Sequence, residues 1–350
     1  MPAKSLKYIK PYHDARLNTL LRFTESDDPK ALKKAINVLR TGVWFEELRL
    51  RLGQSTAYGL GQQLQPDTYR QGLHHHNMWA KYAAGKHLPG QETVRACELA
   101  APHSSDLLLD AGWDLLDASR PIGQQGDTLL RQLRPSIQNA IFDERALAAG
   151  RYERRRAPIQ PLRRLEGQAD LQALAATVVL LREASEAGDR SRAFEVGVVL
   201  HRILLMAVVG TRLRWIAPEL FEFFIRQIFP LAAGDEVTLQ LDRNVLGAQS
   251  QWLNRTILEM EDAGWCGYIP GGTTRQLRRL LSVDYGFDLL FGLSPRLKLA
   301  VPSEQASEDA RRWVGWSNAA WDWATSVLDA GRRESLMPDD VIAQMAAARG

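Results

Sequence analysis

Along the second half of the chain, apolar residues recur at intervals of three and four. Leu171, Leu174, Ala175, Val178 and Leu181 predict an amphipathic helix from Ala169 that ends at the turn Gly188–Asp189. Arg192 to Leu213 is apolar on nearly all sides and reads as a core helix, and Pro218, at a first-turn position, opens ELFEFFIRQIF, which stops before Pro230. Val245–Ala263 continues with Leu246, Leu253, Ile257 and Met260 on one side. Trp313, Trp316, Ala320, Trp323 and Val327 form a further stripe before Gly331. Strand patterns are scarce: EVTLQL at 236–241 alternates, but it lacks an obvious partner strand and reads equally as a helix entrance. The pattern predicts a mainly α chain.

The first half carries shorter periods. WFEELRLRLGQSTAYGLGQQL places Trp44, Leu48 and Leu52 on one helical stripe and restarts at Ser55 with Leu60 and Leu64, Gly53 being the stop and Ser55/Thr56 the N-cap of the next helix. After a polar loop comes HHHNMWAKYAAGKHLPGQETVRACELAAP. There Trp79 and Tyr82 stand three apart, Gly85 ends the helix and Pro89 redirects the chain. A further helix over 91–100 has Val94, Cys97 and Leu99 as its expected buried positions. On LRLGQSTAYGLGQQL, WAKYAAGKHLP and ETVRACELA, with Tyr82, Gly85, Lys86 and Pro89 in the places that end the third helix, about 60 residues resemble the Cro/C1 repressor (XRE) class of helix-turn-helix domains. The stretch between Leu64 and Trp79 is longer than the tight turn of that class. The resemblance implies double-stranded DNA as partner. His75, His76 and Asn77 would read base edges, Lys81 and Lys86 would contact phosphates, and Gln54 and Ser55 would lie at a helix N-terminus facing the backbone.

Charge sharpens the division of the chain. The net charge is only +3, which excludes a polyelectrolyte binder, but residues 1–100 hold 15 Lys/Arg against 9 Asp/Glu while 101–150 hold 4 against 7. Three regions are expected: an N-terminal helix-turn-helix-like domain over 1–120, a connecting segment over 121–168 that includes the exposed basic run RYERRRAPIQPLRR, and a larger α-helical dimerisation or effector domain over 169–350. The longest apolar stretch, Val196–Gly210, is broken by His201 and Arg202 and reads as too short for a membrane span, so the expected location is cytoplasmic.

No pattern points to a reaction. HExxH, GxSxG and a P-loop are missing, Gly271–Arg275 reads as a helix-capping loop, and His201 reads as a satisfied core histidine. Three consecutive imidazoles at 74–76 cannot all face one ion from a regular helix, which favours a solvated turn or DNA contact over a metal. Cys97 and Cys266 lack ligand spacing and read as buried and inert. The expectation is a sequence-specific DNA-binding transcriptional regulator, not an enzyme, without cofactor or metal. It would be homodimeric through Arg202–Leu213, Phe221–Phe229 or the Trp313 stripe. The alternative is an α-helical protein-interaction or scaffold component of a defence or mobile-element system.

Overall fold

The computed structural model describes residues 3–26, 28, 30–69, 77–264 and 272–347. Among them are eighteen α-helices and one two-stranded sheet, so the chain is mainly α. It divides into two compact units, one of residues 1–120 with 212–226 and the other of 121–211 with 227–350.

The first unit is built from α1 (Ala3–Thr24), α2 (Ala31–Arg51), α3 (Ala57–Leu64), α4 (Met78–Ala83) and α5 (Gln91–Ala100), with the helix Ala217–Phe223 added from later in the chain. Its apolar core gathers Trp44, Phe45 and Leu48 of α2, Leu60 of α3, Trp79 and Tyr82 of α4 and Cys97 of α5. Cys97 is buried as expected, and burial pushes its thiol up to about 12; Cys266 lies outside the described residues. Leu99, expected to be buried, is 87% exposed. It follows Cys97 by two positions, about 200° around the helix, so the face that buries Cys97 turns Leu99 to water.

This unit also buries charge. Arg16 of α1 is fully enclosed, its Nε donating to Glu219 Oε1 at 2.6 Å and its Nη1 to Glu46 Oε1 at 2.8 Å and the Ala83 carbonyl at 3.1 Å. Arg49 Nε donates to the other Glu46 oxygen at 2.8 Å, and His13 Nδ1 stands 2.9 Å from Glu219. Burial alone would raise the Glu219 carboxyl, but the Arg16 charge and the His13 hydrogen bond hold it below the usual carboxylate range. As an ionised carboxylate it only accepts, so His13 Nδ1 is the donor.

In the second unit, helix Leu171–Glu186 is capped by Asp170, whose carboxylate accepts from Ala173 N at 3.0 Å, and packs on helix Arg190–Gly210. Arg190–Gly210 has 21 residues and is long and apolar enough by composition to cross a membrane, which corrects the expectation from Val196–Gly210 that the stretch is too short. Its Val196, Leu200, Ile203 and Leu204 are all buried within the unit. His201, also fully buried, pairs through Nε2 with Gln249 Oε1 at 3.0 Å. Gln249 Nε2 donates to the Gly292 and Ser294 carbonyls, which turns its oxygen toward the ring and makes His201 Nε2 the donor. Burial lowers the imidazole to about 4 and keeps it neutral.

The alternating stretch is a strand. β1 (Val237–Gln240) pairs antiparallel with β2 (Arg296–Leu299), Val237 opposite Leu299 and Gln240 opposite Arg296. The partner, RLKL, is four residues long and half basic, too short to announce itself.

Residues 121–168 are not a connector but part of this unit's packing, with Leu130, Ile137, Ile141, Phe142, Leu162 and Leu165 buried. The basic run folds as well. Its second half enters helix Ile159–Glu166, which buries Pro161, Leu162 and Leu165 while the interleaved arginines face water. Arg154 lies over the Phe142 ring and pairs with Asp127 at 2.6 Å and Glu183 at 2.8 Å. The tryptophan stripe splits: Trp316 and Trp323 pack on Ala320, Val341 and Met345, whereas Trp313 stays exposed.

Candidate nucleic-acid interface

The turn from α2 to α3 forms as its residues dictate. Gly53 adopts φ +64°, Gln54 N donates to Arg49 O at 2.8 Å and Gly53 N to Leu50 O at 3.2 Å, the paired bonds of a Schellman cap. Thr56, extended, caps α3 by accepting from Gly59 N at 3.0 Å, and Tyr12 of α1 accepts from Ala57 N at 2.9 Å. Two of the first-turn donors that would face a phosphate are therefore already engaged.

Helix α4 is seated on α2 by aromatic packing. Trp79 stacks on Trp44 with centroids 5.9 Å apart and meets Tyr82 edge-on at 5.6 Å. Its indole N–H donates to Gln65 Oε1 at 3.1 Å and its backbone N–H to the Tyr69 hydroxyl at 3.2 Å. A Cβ on Gly61 would lie 2.7 Å from Trp79 Cδ1 and 2.8 Å from the Tyr69 ring, so α3 and α4 touch where only glycine fits. Gly85 then ends α4 at φ +67°, with Lys86 N donating to Lys81 O and Gly85 N to Tyr82 O, both at 2.9 Å.

The candidate residues divide accordingly. Gln54 is half-buried and donates through Nε2 to Gln63 Oε1 at 2.7 Å, while Ser55 is exposed ahead of the Thr56 cap. Asn77 is exposed and occupies the N-cap of α4 in a left-handed conformation, φ 50° and ψ 37°, which asparagine tolerates better than most residues. It therefore precedes the helix. Lys81 is half-buried and Lys86 exposed, and neither forms an ion pair among the described residues. His75 and His76, with His74, lie outside the described residues. Candidates Gln54 and Ser55 thus sit at the N-terminal approach to α3, and Asn77, Lys81 and Lys86 follow one another along α4 and its exit.

Tyr12, Gln65 and Tyr69 were not singled out by the sequence, yet they hold the two helices in place. Each makes a hydrogen bond to a residue 10 to 45 positions away, which leaves no local signal. Among the described residues no group of three or more His, Cys, Asp or Glu is placed to hold a metal ion. Comparison with protein-family models, with curated proteins and with solved structures finds no match.

Proposed function

We propose that the chain is a sequence-specific double-stranded DNA-binding protein, a transcriptional regulator that reads DNA through a helix-turn-helix-like N-terminal unit. In this reading the second, larger helical unit serves dimerisation or effector binding. One observation supports it above the others: α4 commits Trp79 and Tyr82 to the core, while Lys81 and Lys86 have no acidic partner among the described residues. Lys81 follows Trp79 by two positions, about 200° around the helix, so anchoring the aromatic side points the ammonium away from the core. Unpaired cations on a rigidly held short helix are the electrostatic footprint of a phosphate contact. Asn77, at the entrance of that helix, would pair with adenine, flanked by His75 and His76.

The test is enrichment of a duplex from a random library by the full chain, followed by titration of the selected site and a scrambled one at several salt concentrations. Lys81→Ala and Lys86→Ala should each weaken both complexes alike and reduce the slope of log K against log salt by about 1. Asn77→Ala should cost about 1–3 kcal/mol on the selected site only. No enrichment, or unchanged affinity in all three folded variants, overturns the proposal. A second reading, an α-helical protein-interaction or scaffold component, is favoured by an apolar groove of about 390 Å³ between Leu88, Pro89, Val94 and Leu109, where Leu109 is 68% exposed.

A further inference from the structure

We infer that the second unit binds a guanidinium-bearing ligand in a cavity of about 550 Å³ where the rings of Phe194 and Trp313 meet the carboxylates of Asp235 and Asp309. The inference does not depend on DNA binding. Phe194 and Trp313 stand 5.5 Å apart between centroids at 71°, and Trp313 is 45% exposed, whereas Trp316, Trp321 and Trp323 of the same helix are half-buried. An indole left in water beside a cavity of ligand size is surface kept for contact.

The charge of the cavity selects the ligand. No lysine or arginine lines it. Glu236 is already engaged: it accepts from Ser307 N at 2.5 Å and Ser307 Oγ at 2.7 Å, which holds its carboxyl below the usual range, while Ser307 caps the helix Glu308–Asp329 by accepting from Ala310 N at 3.1 Å. Arg311, near Glu236, donates to the Ser303 and Ala306 carbonyls at 2.8 and 3.1 Å. The carboxylates of Asp235 and Asp309 make no hydrogen bond or ion pair among the described residues. Two unpaired carboxylates beside two aromatic rings repel anions and attract a cation that both stacks and forks. That is the chemistry of the planar, weakly hydrated guanidinium rather than of a compact ammonium.

The ligand is a free guanidino compound or an arginine side chain of a peptide, and calorimetry on the full chain separates the two. Agmatine, N-acetyl-arginine amide and its neutral citrulline analogue are titrated in turn. The arginine amide or agmatine should bind at least about tenfold more tightly than the citrulline analogue, the loss of one charge-assisted contact. Tighter agmatine identifies the free compound; a tighter arginine amide identifies the peptide. Trp313→Ala and Asp309→Asn, both at exposed positions, should each weaken binding about fivefold with unchanged melting temperature. No heat up to about 20 mM, equal binding of the citrulline analogue, or full affinity in both variants overturns the inference.

Discussion

Replacing Arg16 by methionine tests the ionic core of the first unit, because the two side chains have similar length and only the charge and its hydrogen bonds are removed. Arg16, Glu46 and Glu219 are at most 1% exposed, so neither carboxylate can turn to water when its partner goes. Breaking a buried pair costs about 3–5 kcal/mol, since the charge left behind is uncompensated. The Ala83 carbonyl also loses its donor, while Arg49 still holds Glu46 and His13 still reaches Glu219. The two remaining partners keep the expected loss for Arg16→Met near about 4 kcal/mol, a large part of the stability of a unit this size. Urea unfolding followed by tryptophan fluorescence and circular dichroism measures it.

The pH dependence supplies a signature that lost packing would not give. In the parent chain the depressed Glu219 contributes stability that is present above its ordinary unfolded value and lost as pH falls through the lower folded value. Without Arg16, burial is the dominant influence and raises the folded carboxyl, so the sign inverts and Arg16→Met gains stability as pH falls through the raised folded value toward the ordinary unfolded one. Arg16→Met with Glu219→Met should recover at least about half of the loss. A loss below about 1 kcal/mol, or a pH slope with the parent's sign, refutes the reasoning.

Gly85→Ala forces a Cβ to within 2.6 Å of Val38 Cγ1 at a positive φ, and the combined clash and backbone strain should lower stability by about 2–4 kcal/mol in chemical denaturation. Trp79→Ala should cost about 3–5 kcal/mol, whereas Leu99→Ser, on the exposed side of α5, should change the unfolding free energy by less than about 0.5 kcal/mol despite the hydrophobic periodicity around it. Because His201 is held neutral with its folded value near about 4, below the ordinary 6.5, its contribution is present above pH 6.5 and is lost as pH falls toward 4. His201→Gln, which keeps a donor for Gln249, should flatten the stability profile in that window, and an unchanged profile would assign the acid sensitivity to other groups.

What could be read from the chain follows from how far each signal reaches. The stop at Gly53, the cap at Thr56 and the stop at Gly85 are local: each is set by φ and by hydrogen bonds within five residues, and each forms as the residues imply. The burial of Trp44, Leu48, Leu60, Trp79 and Tyr82 in one core is almost as legible, since large aromatics at helical spacing have one economical place to go. Leu99 shows the limit of that logic. Val94, Cys97 and Leu99 do not fix a stripe until one of them is known to be inside, and Cys97 rather than Leu99 holds that place.

The misreadings share one cause, which is contact between residues far apart in sequence. RYERRRAPIQPLRR looks like solvated linker because a charge count cannot see that Arg154 has Asp127 and Glu183 waiting for it, or that Leu162 and Leu165 meet a core supplied by other segments. β1 looks solitary because its partner lies 59 residues on and is only four residues long. Arg16 is the extreme case. Its partners lie 30 and 203 residues away, and nothing about one arginine in an N-terminal helix distinguishes it from its solvated neighbours. The candidate DNA contacts invert the problem: Asn77, Lys81 and Lys86 lie within ten residues and are easy to nominate, because surface chemistry for an external partner needs no long-range contact inside the chain. Base reading and phosphate attraction at these residues separate by their response to salt: Asn77→Ala should leave the salt slope unchanged, whereas Lys81→Ala and Lys86→Ala should each reduce it.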